Sequence, residues 1–260
     1  MNVETQLLES YLKRLGLTTF LHNHSAFAVD AAQSQHSYSR YLLALAEQEL
    51  AQRAANSRQR RLKEAKLPLV KTLNDFDFTA MPLLNQQRLV QLAQGEYIGN
   101  REPVILVGNP GLGKTHVATG LAVAACHQLH RVRFYNTAAL VNELLAAQQD
   151  HRLAKVLATA QQHELIVLDE LGFIPLTLTG AQLMFQFCSA LYERVALIIT
   201  TNLKFADWTQ IFGDERLTLA LLDRLTHKAH IIEFTGESYR FRQQRQRVGE
   251  LTSSRQAKEA

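Results

Sequence analysis

Residues 104–116 read VILVGNPGLGKTH. A short apolar run feeds a turn built from glycines, a proline and an asparagine, and the turn closes on a lysine and a threonine. Gly108, Gly113, Lys114 and Thr115 satisfy the spacing G-x-x-x-x-G-K-[ST], with Asn109, Pro110, Gly111 and Leu112 between them. Glycines let a backbone wrap tightly enough for successive N–H groups to point inward at oxygen atoms. The helical run THVATGLAVAACHQL that follows adds the positive end of its dipole, so a bound phosphate is expected here. Lys114 would reach the outer phosphates and the Thr115 hydroxyl would ligate Mg2+, with the loop from Gly108 to His116 cradling a nucleotide.

Working outward, apolar runs recur near 104–107, 132–135, 165–168, 196–200 and 230–234, with helical stretches between most of them. Near-continuous apolar strands alternating with helices predict an α/β domain, a parallel five-stranded sheet covered by helices on both faces. Three of the later segments carry chemistry. ELIVLDELGF puts Asp169 at the end of a strand with Glu170 directly after it. An aspartate there can hold Mg2+, and an adjacent glutamate can orient and deprotonate a water. ALIITTN ends on Asn202, which a parallel sheet would place at the ligand crevice, although an asparagine after a strand is by itself an ordinary turn residue. ALLDRLTHKAHIIEF places Asp223 and Arg224 on a helix before the last strand, and GESYRFRQQRQR offers Arg240 after it. An arginine suits spread phosphate charge, and a surface Arg–Asp pair would look the same in sequence.

The chain has 260 residues, 47% hydrophobic and 20% charged, enough for one large domain or one with a smaller companion. Cys126 and Cys188 lie far apart and form no CxxC, so neither a disulfide framework nor a zinc ribbon is expected and a reducing cytoplasm suits the chain. His127 and His130 could share a helix face, but without a third ligand they read as structural. No secretory leader is evident, and apolar runs such as VALII at 195–199 are too short for a bilayer, so no membrane partner is expected.

The net charge of +4 is unevenly placed: residues 1–72 hold ten Lys/Arg against six Asp/Glu, and residues 73–260 hold eighteen of each. Such an excess is either a nucleic-acid footprint or a solvated helix face. Residues 1–36 read as two short helices around ESYLKRLGL, with AAQSQHS at 31–37 as a polar connection. From about Ser39 to Lys66 runs a long helix with Leu43, Ala46 and Leu50 as its apolar stripe. Arg53, Arg60 and Arg61 share one face of it, and with Arg58 and Lys63 they are the candidate duplex-DNA contacts. Pro68 is expected to end the helix, and VKTLNDFDFTAMP at 70–82 reads as a linker. The expected organisation is a basic helical domain over 1–72, a nucleotide-binding domain over 73–245 and a loose tail over 246–260.

These pieces, in this order, resemble the initiator-clade AAA+ ATPases, and most closely the IstB family of transposition helper proteins, with the helicase loader DnaC as a relative. GNPGLGKTHVATGLA, LIVLDELGFIPL, RRLKEAKLPLVKTLNDFDF and the long stretch from Thr200 to Arg240 carry the resemblance, which spans most of residues 39–242. It implies that Gly108 to Thr115 form the Walker A loop and that Asp169 and Glu170 are the Walker B pair. It further implies Asn202 as sensor 1, Arg224 as an arginine finger reaching a neighbouring subunit, and Arg240 as sensor 2. Only twenty residues follow Arg240, so the C-terminal lid is expected to be absent or truncated.

A site completed by Arg224 in trans needs a head-to-tail homo-oligomer, a ring or a helix. The implied function is an ATP-dependent regulator that assembles on duplex DNA largely without sequence preference, bends it, and stimulates an IstA-type transposase. Two other readings stand beside it: a DnaC-like helicase loader, and a nucleotide-gated scaffold that does not hydrolyse ATP, against which Glu170 argues. A small-molecule kinase is remote, because no second substrate site is visible.

Overall fold

A computed structural model of the chain describes residues 3–236 and 238. Arg240 and the tail over 246–260 lie outside the described residues. The chain divides into two compact units, Met1–Arg60 and Arg61–Ala260. Residues 61–72 therefore group with the second unit.

The first unit holds α1 (Val3–Arg14), α2 (Thr18–Gln33) and most of α3 (Tyr38–Glu64). Helix α2 continues through Ala31, Ala32 and Gln33, so the polar connection is shorter than the composition suggests. The apolar stripe expected on α3 is not its inner face. Leu43 and Leu50 are exposed, and Leu45 and Glu49 are buried instead. The reason is electrostatic. Leu17 precedes α2 and gives it no side-chain cap. The Glu49 carboxylate takes that role, accepting from Thr19 N–H at 2.9 Å and pairing with Arg53 Nε at 2.7 Å. Arg53 in turn donates to the Gly16 carbonyl at 3.1 Å, in the turn after α1. One ion pair on α3 thus satisfies backbone groups at both ends of the α1–α2 turn.

In the second unit, α4 (Gln86–Leu92) and α5 (Glu96–Asn100) precede an alternation of β1 (Val104–Gly108), α6 (Lys114–His127), β2 (Val132–Asn136), α7 (Thr137–Gln149), α8 (Leu153–Ala160), β3 (Leu165–Leu171), α9 (Leu178–Leu191), β4 (Ala196–Thr201), α10 (Thr209–Phe212), α11 (Glu215–Thr226) and β5 (His230–Phe234). The strands form one parallel sheet in the order β2-β3-β4-β1-β5. All five lie where the apolar runs predict them. Successive residues feed opposite faces: Leu106, Val167 and Ile198 pack under α6, while Ile105, Ile166 and Ile199 join Leu140, Phe187 and Trp208 on the other side. No helix among the described residues is long and apolar enough to cross a membrane.

The stretch 70–82 is not a linker. It folds into two 3₁₀ turns, Leu73–Asp75 and Phe78–Ala80, whose Leu73, Phe76 and Phe78 pack on the core. Asp75 receives both the N–H and the hydroxyl of Thr72, at 2.8 and 2.7 Å, and this closes the first turn. Helix α3 also ends before Pro68 can act, because Lys66 adopts a positive φ of 52°. Just ahead of it, the Ala65 carbonyl accepts from Phe134 N–H on the outer strand β2 at 2.9 Å, and Arg61 Nε donates to the Leu129 carbonyl at 3.1 Å.

Candidate nucleotide site

The carboxyl end of β1 runs directly into the glycine turn, and α6 begins at Lys114. Gly113 sits at φ 89°, where a Cβ would lie 2.6 Å from the Phe76 ring. Gly108 is pressed against the backbone carbonyl of Phe234, so a Cβ there would collide with main chain. A side chain at either position would force the turn away from these neighbours.

Lys114 is buried, and its Nζ donates to the carbonyls of Gly108 at 2.6 Å and Asn109 at 2.9 Å. Burial pulls its pKa below the ordinary lysine value, partly opposed by the charges of Asp169 and Glu170. Asp169 is also buried, at the end of β3. One of its oxygens, Oδ1, accepts from Thr200 Oγ1 at 2.6 Å and from Thr115 Oγ1 at 3.0 Å. Burial nonetheless pushes its carboxyl above the ordinary aspartate value, against those two hydrogen bonds. Thr200 also accepts from Glu170 N–H at 2.9 Å, so one buried hydroxyl sets the position of both acidic residues.

Glu170 is exposed at a break in the β3–β4 register, and its φ of 61° lies in the left-handed region that non-glycine residues avoid. Its Oε2 accepts from Asn136 Nδ2 at 2.9 Å. Asn136 ends β2 and caps α7, its Oδ1 accepting from Ala139 N–H at 3.3 Å. Thr137 Oγ1 donates to the Asp169 carbonyl at 2.8 Å and fixes the same strand end.

A cavity of about 760 Å3 opens on this cluster. Pro110 to His116, Glu170, Thr200 and Asn202 line one side of it, and residues of the 68–81 segment line the other. Asn202 is thus brought to the crevice with the glycine loop and Glu170. His116 turns away toward the entry segment: its Nε2 lies 3.0 Å from the Thr72 carbonyl and its ring meets Phe76 edge-on at 5.3 Å. Asn109 contributes its carbonyl to Lys114, and Leu112 is a buried apolar anchor.

Arg224 is not brought to this cavity. It lies on α11 with Nη1 donating to Ser189 Oγ at 2.9 Å and its guanidinium over the Phe185 ring at 4.7 Å. Of the basic residues on α3, Arg53 bonds to Glu49 and Gly16, and Arg61 to Leu129 and Glu64. Arg53, Arg58, Arg60 and Lys63 are exposed, and Arg61 is half-buried. Cys126 and Cys188 are buried thiols, pushed up by burial to about 11 and about 12, and neither touches the site. His130 Nδ1 lies 3.1 Å from Glu164 Oε1, an internal contact.

Three residues of the cluster escape the sequence reading: Thr200, Asn136 and Phe76. Thr200 is a polar residue inside an apolar strand, the one signal available for it, because a buried hydroxyl needs a partner. Asn136 looks like an ordinary helix cap. Phe76 hides in a segment whose aspartates and proline read as a connection.

The donor set fits its implied occupants. Thr115 Oγ1 and Asp169 Oδ1 are hard oxygen ligands of the kind Mg2+ takes, the glycine cradle suits a polyphosphate, and Lys114 stands at its floor.

Residues 10–247 match the family described as IstB-like ATP binding protein. The chain is 37% identical over 247 residues to the ATP-binding protein of insertion sequence IS21 from Pseudomonas aeruginosa, covering 95% of this chain and 93% of that one. It is 36% identical over 238 residues to its counterpart in IS5376 from Geobacillus stearothermophilus, covering 92% and 95%. Among solved structures it is similar to AMPPCP-bound DnaA from Aquifex aeolicus, with TM-score 0.55, 16% identity and coverage of 71% and 56%. DnaI gives TM-score 0.52 at 16% identity, covering 65% of this chain and 89% of that one. These structural likenesses speak for the fold alone.

Proposed function

The chain belongs to the IstB-like ATP-binding proteins, the AAA+ P-loop helpers of insertion sequences, and from that premise we propose that it is a DNA-assembled ATPase that stimulates a partner transposase. The observation that carries this reading is the convergence of Thr115 and Asp169 on one point, with Glu170 as the next residue and Lys114 below. Thr115 and Asp169 would hold Mg2+, which when bound supplies charge neutralisation at the outer phosphates. The backbone N–H groups of Gly108 to Thr115 bind the phosphate chain, and Lys114 leaves its two loop carbonyls to reach the terminal phosphate. Glu170 accepts a proton from the attacking water and Asn202 orients that water or the phosphate beside it. Arg224 serves the site of a neighbouring copy, because the cavity of its own copy does not include it. Arg240 stays the proposed sensor 2.

An active site shared between copies makes oligomerisation, nucleotide and turnover one linked event. Arg53, Arg58, Arg60, Arg61 and Lys63, repeated along such an assembly, would give salt-sensitive and largely sequence-independent binding to duplex DNA. Many such contacts offset the cost of bending, and bent target DNA is a substrate that an IstA-type transposase can use. We place this work in the cytoplasm, where ATP is present and Cys126 and Cys188 stay reduced.

The test is the mass of the protein with a generic duplex, with Mg2+ and ATP and then without nucleotide, for wild type and Arg224→Ala. A large complex that needs both ATP and DNA, with turnover lost in the variant, is the expected result. A protein that stays monomeric on duplex DNA whatever the nucleotide overturns the reading.

A further inference from the structure

A second cavity, of about 330 Å3, lies at the opposite end of the same sheet from the nucleotide site. It is framed by Pro103 just before β1, Val195 just before β4 and Lys228 just before β5, the amino ends of three strands. The five residues of β1 separate it from the glycine turn by about 16 Å. Arg101, Arg224 and Lys228 line it together. Each is pre-positioned. Arg101 caps α5 at φ 59° and donates through Nη1 to the Glu193 carbonyl at 3.2 Å. Arg224 is held by Ser189 and Phe185, and Lys228 follows α11 at φ 56°. A guanidinium has five N–H donors, so one bond each leaves both arginines with donors to offer. Two carboxylates share the rim. Glu102 lies 2.9 Å from His230, and Glu193 stands beside Tyr192.

The nucleotide cavity is the complement of this one. Asp75, Asp77 and Glu170 line it against Lys71 and Lys114, and no arginine does among the described residues. A bound polyphosphate tips that balance further toward negative charge. One copy cannot join its own two cavities, which open at opposite ends of a rigid sheet, but a head-to-tail neighbour can. We propose that Arg101 and Lys228 complete, with Arg224, a cationic face that meets the phosphates held by the glycine loop of a second copy. This rests on the reading of Arg224 as acting in trans, and it assigns two further positioning residues to that contact. Arg101 and Lys228 orient and neutralise the phosphate chain while Arg224 takes the charge that develops in the transition state.

Three variants of the full chain test this by mixing: Arg101→Ala with Lys228→Ala, Arg224→Ala alone, and Lys114→Ala. Turnover is read as phosphate release on generic duplex DNA. The double variant is expected to lose at least about tenfold in turnover, with its affinity for a fluorescent ATP analogue unchanged in the absence of DNA. Mixed with Lys114→Ala, it regains turnover, because its intact glycine loop then faces the intact cationic face of the other protein. A role confined to its own fold would not be rescued this way. Wild-type turnover by the double variant overturns the proposal. So does a double variant that stays inactive in the mixture while Arg224→Ala is rescued there, and in both cases the trans reading survives. If Lys114→Ala rescues neither protein, the trans reading itself fails and the proposal goes with it.

Discussion

At Asp169 and Lys114 burial opposes the charged form of both side chains. The raised pKa of Asp169 means that its contribution to stability is full below the ordinary aspartate value and is lost as pH rises through the folded one. The lowered pKa of Lys114 works from the other side: its contribution is full above the ordinary lysine value and is lost as pH falls through the folded one. Between those limits burial of the two groups costs stability that bound Mg-nucleotide restores. Asp169→Asn keeps an acceptor for Thr115 and Thr200, so the nucleotide-free variant should melt no lower than wild type in a calorimeter. Wild type should gain about 2.7 kcal/mol at a hundredfold excess of Mg-ATP over Kd, and the variant should lose most of that gain. Asn136 makes a second case. Removing its bond to Glu170 with Asn136→Ala frees the carboxylate by roughly the 1 kcal/mol of one hydrogen bond, about fivefold in population. Phosphate release without DNA should rise accordingly, and a fall would mean that the bond orients Glu170 instead of restraining it. Residues whose chemistry needs a fixed spacing, such as Gly108, Lys114 and Thr115, can be read in sequence. Asn136 and Thr200 cannot, because their role is set by a strand order that only the fold supplies.

At the scale of elements, the inner strands β1, β3 and β4 are legible because they are buried through most of their length and therefore nearly continuous apolar runs, while the outer β2 and β5 show only through alternate buried residues such as Val132 and Phe134 or Ile232 and Phe234. Helix α3 was legible in extent and misread in orientation. Its inner face carries Glu49, a charged residue that hydropathy assigns to solvent, and the exposed Leu43 and Leu50 mimic a core stripe. Glu49→Ala removes the acceptor for Thr19 N–H and the partner of Arg53, and should cost the helical unit about 1–3 kcal/mol in urea unfolding followed by far-UV circular dichroism. The Arg53 hydrogen bond, followed by that of Thr19, holds the Glu49 carboxyl below the ordinary glutamate range. Its contribution is therefore complete above that range and disappears as pH falls through the lowered value, so acid should loosen wild type more than Glu49→Ala. The segment 70–82 was missed for a different reason: two short turns closed by Asp75 and Asp77 have no period to detect, and only packing against α6 reveals them.

At the scale of the whole molecule, the excess positive charge of the chain lies in residues 1–72, while the proposed catalytic groups occupy a charge-balanced remainder. The composition boundary at 72 and the structural division at Arg60 differ because the end of α3 docks on β2. That contact has a consequence for solubility. An outer strand with unanswered N–H and C=O groups is a template on which another chain can pair, and sheets grow from such edges. The Ala65 carbonyl answers Phe134 N–H in the middle of β2. A fragment cut at 73, where the composition changes, leaves that edge bare and should scatter light and sediment as aggregate on standing. A fragment cut at 61 keeps the cover and should stay dispersed. If both remain clear, the docked turn is incidental; if only the longer one does, the last turn of a basic helix also serves as a guard against uncontrolled sheet-to-sheet pairing.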